Sequence, residues 1–164
     1  MRTPASIGRH PIHSILVAVP IGAWIFALVA DVAASVNSDP SWRTAAFYAI
    51  GVGIVGALLA AVPGLIDLFS LPPGTSRRIG IWHMSINLLA VVLFTANFAS
   101  RWDDPATQGS PVMTVLGILL IGVSGWLGGE MVYRGGVGVS ADEAAPAYRR
   151  DEPIAGRPLD ARSR

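Results

Sequence analysis

Four long apolar blocks, residues 12–34, 44–71, 79–100 and 111–133, dominate the chain and restrict what it can become. Each is long enough to cross a bilayer, which takes roughly 20 helical residues. Backbone groups in lipid must be satisfied internally, so such blocks form helices, and Pro20 and Pro63 are expected as kinks tolerated inside a bundle. The connections SVNSDPSW, LPPGTSRR and RWDDPATQGS carry the proline, glycine, serine and asparagine that turn and solvate a chain. Short connections make antiparallel neighbours. The expected fold is all-α, one four-transmembrane-helix bundle over residues 12–136. A cytoplasmic N-terminal segment (1–11) precedes it, and a disordered cytoplasmic tail (137–164) follows, whose mixed charge and prolines bury too little surface to fold alone.

Composition agrees with a membrane setting: 52% of residues are apolar and 14% charged, against about a quarter charged in ordinary soluble domains. Every basic residue is arginine and cysteine is absent, which excludes disulfides, thiolate metal sites, cysteine-ligated iron–sulfur clusters and covalent c-type haem. Any cofactor must be held by histidine, carboxylate or backbone. A net charge of +1 with scattered arginines argues against nucleic acid as a partner. The chain also has no nucleophile elbow, P-loop or dinucleotide fingerprint, so no catalytic residue is assigned.

Arg2, Arg9, Arg77, Arg78 and Arg134 flank one side of the bundle, against Arg43 and Arg101 on the other, so both termini are expected in the cytoplasm and the protein in the inner membrane. The first apolar run is too long for a signal-peptide core of about 7–15 residues, although VAAS after Asp31 resembles a cleavage site. Trp42 and Trp102 at the outer ends, with Trp82 and Tyr133 at the inner ends, suit the membrane–water interface.

Ionisable residues inside membrane helices are costly unless paired, and each is a site hypothesis by default. At about 100° per residue, His13, Val17, Pro20, Trp24 and Asp31 share a stripe on the first helix, and His83, Asn87, Ala90, Phe94 and Asn97 share one on the third. On the second helix Gly53, Gly56, Ala60, Pro63 and Asp67 align, and on the fourth Trp126 goes with Glu130. Gly56, Ala60 and Gly64, like Gly125 and Gly129, are spaced for close helix contact, within the bundle or in a homo-oligomer. His13, Asp67, His83 and Glu130 fall at one depth, with His10 just outside. Asp31 and Asn97 belong to the opposite side, where loop groups, Arg43 or Arg101 can satisfy them.

The order His10-Pro11-x-His13, Pro20-Ile21-Gly22, Asp31, Gly64-x-x-Asp67, His83 with Asn87, and Gly125-Trp126-Leu127-Gly128-Gly129-Glu130 with Tyr133-Arg134 resembles the bacterial predicted membrane protein family catalogued as domain of unknown function 2231. The resemblance covers roughly residues 9–139 and implies a four-helix membrane domain without an established activity. Some relatives are joined to Rieske-type or cytochrome-like modules, which implies redox work. This chain has neither cysteine nor a second domain, so electron transfer would need a partner protein or a non-covalent cofactor.

Several functions fit these residues. His13 and His83 could ligate non-covalent haem b axially, with Arg9, Arg77 or Arg78 meeting the propionates, although Asp67 and Glu130 would crowd those anions. Alternatively His10, His13, Asp67, His83 and Glu130 could hold iron, manganese or zinc, for which imidazole and carboxylate are suitable ligands. His83 and Asp67 could instead relay protons, or Trp24 or Trp126 could flank a quinone. Finally, the layer could be a structural clamp or an interface for another membrane subunit.

Overall fold

The computed structural model describes residues 3–8, 10–37 and 39–139; the expected disordered tail from residue 140 onward, together with Arg2 and Arg9, lies outside the described residues. The first span is α1 (Ile12–Leu16) and α2 (Ala18–Asn37), the second α3 (Pro40–Ser70), the third α4 (Thr75–Ala99) and the fourth α5 (Pro111–Tyr133). They run to 26, 31, 25 and 23 residues, each long and apolar enough to cross a membrane.

Proline explains the interruption at Val17. Pro20 has no amide hydrogen to donate to the Leu16 carbonyl, so the ladder is broken there and a turn separates α1 from α2. α3 starts four residues before the apolar block does. The carboxylate of Asp39 accepts a hydrogen bond from the Ser41 N–H at 2.9 Å, and Pro40 fills the first helical position, where no amide is needed. That hydrogen bond holds the Asp39 carboxyl below the usual carboxylate range. Ser110 and Pro111 start α5 in the same way, with Ser110 Oγ accepting from the Met113 N–H at 3.4 Å.

α2 with α3 and α4 with α5 form two closely packed hairpins, which then face each other. At mid-depth the core is Trp24, Ala27, Ile50 and Phe94. The Trp24 indole stacks on Phe94 with centroids 4.1 Å apart and planes 8° from parallel. Gly53 has no side chain because Trp24 fills the place a Cβ would take. The indole N–H donates to the Ile50 carbonyl at 3.3 Å, so no polar atom of the ring is left bare in the core.

Outward faces are as apolar as the core. Val52, Leu58, Leu59, Leu88, Leu119 and Val123 are all exposed, a pattern that suits hydrocarbon as the surrounding medium. Among the described residues the departure from an all-helical plan is small. β1 (Ser6–Ile7) pairs antiparallel with β2 (His10–Pro11), and Gly8 supplies a left-handed φ of 54° in the intervening turn.

Candidate functional site

The two ends of the bundle hold different kinds of polar cluster. At the end away from the chain termini, Asp31 of α2 receives both terminal nitrogens of Arg101, Nη1 to Oδ1 at 2.9 Å and Nη2 to Oδ2 at 2.8 Å. Both residues are buried, at 4% and 1% exposure. Asn97 completes the cluster: its Nδ2 donates to Thr114 Oγ1 at 2.8 Å and to the Ser110 carbonyl at 3.2 Å. Its Oδ1 accepts from the Ser110 N–H at 3.0 Å and Arg101 Nε at 3.4 Å. The Thr114 hydroxyl donates to Asp31 Oδ2 at 3.3 Å. Gly109 is packed so tightly under Arg101 and Asn97 that a side chain there would overlap them. The carboxylate, guanidinium, amide and hydroxyl of this cluster hydrogen-bond to one another, so it works as a lock joining α2, α4 and α5.

The end that carries the termini has two histidines in its place. His13, in the first turn of α1, donates from Nδ1 to the Ala60 carbonyl of α3 at 2.8 Å. A Cβ on Gly64 would stand 2.7 Å from that nitrogen, so the glycine lets the imidazole lie against the helix backbone. His83 of α4 donates from Nδ1 to the Ser124 carbonyl of α5 at 2.8 Å, with Ser124 Oγ also 2.9 Å from that nitrogen. The Ser124 hydroxyl proton goes to the His83 carbonyl at 3.3 Å. Gly128 keeps α5 close, since a Cβ there would be 3.4 Å from Cε1 of His83. The rings face one another across α1 and α4, with centroids 6.1 Å apart and planes at 81°.

A carbonyl oxygen can only accept, so Nδ1 carries the proton in both rings. In the neutral imidazole the lone pair then belongs to Nε2, the arrangement found for histidines that ligate metals. Nε2 of His83 accepts from the Asn87 amide at 3.1 Å, one turn further along α4.

The other expected members of this layer are at the same end but are engaged elsewhere. His10 sits in β2, exposed, with Nδ1 2.9 Å from the Gly8 carbonyl. Asp67 accepts the Ala5 N–H at 2.9 Å. Glu130 pairs with Arg134 at 3.1 Å, and that arginine side chain is 82% exposed. No group of three or more histidine and carboxylate side chains among the described residues converges closely enough to hold a metal ion. Of the five expected ligands, the fold therefore joins His13 and His83 alone.

Trp126 departs from the expected inward face. It is 73% exposed, because α5 turns Thr114, Gly117 and Ser124 inward. Gly125 and Gly129 look outward with it, and a Cβ on Gly125 would meet nothing within 4 Å, so this pair does not pack the bundle. Trp24 is sealed in the mid-membrane stack, away from either end. An elongated groove of about 680 Å³ does run along the outside of α3, between Val19, Tyr48, Val55, Phe98 and Trp102, and none of the histidine-site residues lines it. Sequence reasoning missed Ser124, whose carbonyl and hydroxyl orient His83; the available signal was a hydroxyl alone in the apolar middle of α5.

Four spanning helices with apolar outer faces and inward polar clusters define an integral membrane protein. The chain belongs to the family described as Predicted membrane protein (DUF2231), which it matches over residues 9–141. No curated protein and no solved structure matches it.

Proposed function

We propose that the protein is a redox-associated membrane protein that would bind non-covalent haem b through Nε2 of His13 and Nε2 of His83, the latter giving up the hydrogen bond it accepts from the Asn87 amide. The observation that carries this reading is the pair of backbone carbonyls, Ala60 and Ser124, that fix both imidazoles as Nδ1–H tautomers. Ligand count favours haem over a bare ion. Two imidazoles are too few for a structural metal site, which normally takes four ligands, whereas a haem brings its own ring nitrogens and needs only the axial pair. The two rings lie at the same end of the bundle with centroids 6.1 Å apart.

Arg77 and Arg78, in the first turn of α4, are the described cations suited to the propionates. Asp67 and Glu130 compete less than their shared depth suggests, because Glu130 has Arg134 and Asp67 has the Ala5 amide. When bound, haem supplies one-electron transfer. The protein's part is to hold both imidazoles in the ligating tautomer and to keep the site in an apolar surround, which tunes the potential. The electron donor or acceptor is then a second protein.

We also infer that the histidine end faces the cytoplasm in the inner membrane. Arg77, Arg78 and Arg134 flank that end, while at the other end Arg101 is consumed by Asp31 and, among the described residues, only Arg43 is left as a flanking cation. A reporter fused in the loop at residues 71–74 should be active in its cytoplasmic form; an active periplasmic reporter there would overturn this orientation.

Haem content tests the assignment directly. Purified wild-type protein should carry about one extractable haem per chain, and His13→Ala and His83→Ala should each lose most of it while remaining folded. Stoichiometric zinc, manganese or non-haem iron in place of haem would replace this reading with a bare-metal site, and neither would leave the histidines as a helix clamp.

A further inference from the structure

We propose that the groove along α3 is a phospholipid site, which takes one acyl chain along its length and the lipid phosphate at Arg43. It lies on the outside of the bundle, toward the end away from the chain termini, and is independent of the histidine pair.

The floor of the groove is the row Phe47, Gly51, Val55 and Leu59, spaced by four and therefore on one face of α3. From first to last the row covers about 18 Å at 1.5 Å per residue, close to the roughly 15 Å that one leaflet contributes to a hydrocarbon core of about 30 Å. Phe98 closes over Gly51, where a Cβ would stand 2.9 Å from the ring, and Val19 closes over Gly56 at the same distance. Phe47 stacks on Phe98 with centroids 4.4 Å apart, and Trp102 meets the Phe98 ring edge-on at 5.5 Å. The walls are therefore made of side chains already packed on one another.

Polarity runs in one direction along this trough. Among its lining residues Tyr48 and Trp102 alone carry polar side-chain atoms, and both stand at the Phe47 end. Aromatic rings with one polar atom suit the headgroup level of a bilayer. Arg43 extends the same row by one turn beyond Phe47, about 6 Å further along the helix. Its side chain is half-buried, its Nε is shielded without a hydrogen-bond partner, and it has no ion pair among the described residues. Asp39, one turn before it, accepts from the Ser41 N–H at 2.9 Å instead. A cation partly withdrawn from solvent is costly without an anion, and a guanidinium matches a phosphate in shape and donors. An apolar trough ending at such a cation has the polarity of a phospholipid. A quinone or a second helix would use the trough and leave the guanidinium uncompensated.

Native mass spectrometry of the full-length, delipidated protein in detergent tests the site with two probes. These are phosphatidylglycerol with palmitoyl and oleoyl chains, and the diacylglycerol with the same chains and no phosphate. Wild type should bind one phosphatidylglycerol per chain, roughly tenfold or more tighter than the diacylglycerol, the factor that one charge-assisted hydrogen bond carries. Arg43→Gln should bring phosphatidylglycerol down to the diacylglycerol level and leave the diacylglycerol unchanged. Val55→Trp, which fills the trough from an exposed position, should weaken both, whereas Leu119→Trp on the exposed face of α5 should weaken neither. Equal affinity for the two lipids in wild type, or phosphatidylglycerol binding undiminished by either groove substitution, would overturn the site. A wild-type dimer that Val55→Trp dissociates would also overturn it, since the groove would then be an interface between copies of the chain.

Discussion

Replacing Arg101 with methionine should destabilise the protein by about 3–5 kcal/mol, the cost of leaving one half of a buried ion pair without its partner. The carboxylate of Asp31 would stay at 4% exposure with only the Thr114 hydroxyl near it, in a medium that solvates charge poorly. Asn97 would also lose a donor on Oδ1, although it would keep the Ser110 amide. The double variant Asp31→Leu with Arg101→Met should recover much of the loss, because removing both charges removes the desolvation problem along with the attraction. Unfolding in detergent, followed by tryptophan fluorescence, measures both. A single variant as stable as wild type would mean that the pair is not a lock between the hairpins.

A second large loss is expected for Trp24→Ala. In water such a change costs about 3–5 kcal/mol, partly because apolar surface leaves solvent and partly because a cavity remains. In lipid the first part shrinks, since the hydrocarbon is as apolar as the core, and association of helices rests on packing. The cavity is still large here. Gly53 and Phe94 are both shaped to the indole, and the Ile50 carbonyl would lose its N–H donor. A loss of about 3 kcal/mol is expected, with Gly53→Leu in wild type damaging for the opposite reason, that no room exists for its side chain. If Gly53→Leu proved harmless, α2 and α3 could not be held at this spacing by the tryptophan.

Much of the fold was legible because lipid leaves a spanning segment few options. The stripes on α2, α3 and α4 are correctly placed: Trp24, Ala60, Asp67, Phe94 and Asn97 are all buried. Helix starts were less legible. Asp39-Pro40 and Gly74-Thr75 read as polar loops, but each begins a helix, since capping residues and turn residues are the same types. α5 was misread at Trp126, because its apolar residues run all round the helix, and only Thr114, Gly117 and Ser124 mark the inward side.

The site was legible by depth and not by partner. Periodicity correctly brings His13, Asp67, His83 and Glu130 to one end, yet it carries no information on which of them touch. The choice was made by nearby groups: the Ala5 amide, reached through a chain reversal at Gly8, occupies Asp67, and Arg134 occupies Glu130. The carbonyls that orient the imidazoles belong to Ala60 and Ser124, and main-chain acceptors leave no trace in residue type.

The most direct test of the haem assignment is a reduced-minus-oxidised optical spectrum of the detergent-purified protein, taken beside His13→Ala and His83→Ala. The account predicts the sharp bands of a six-coordinate b-type haem in wild type and their loss in both variants. A featureless wild-type spectrum from folded protein expressed with ample haem, or bands that survive both substitutions, would contradict it.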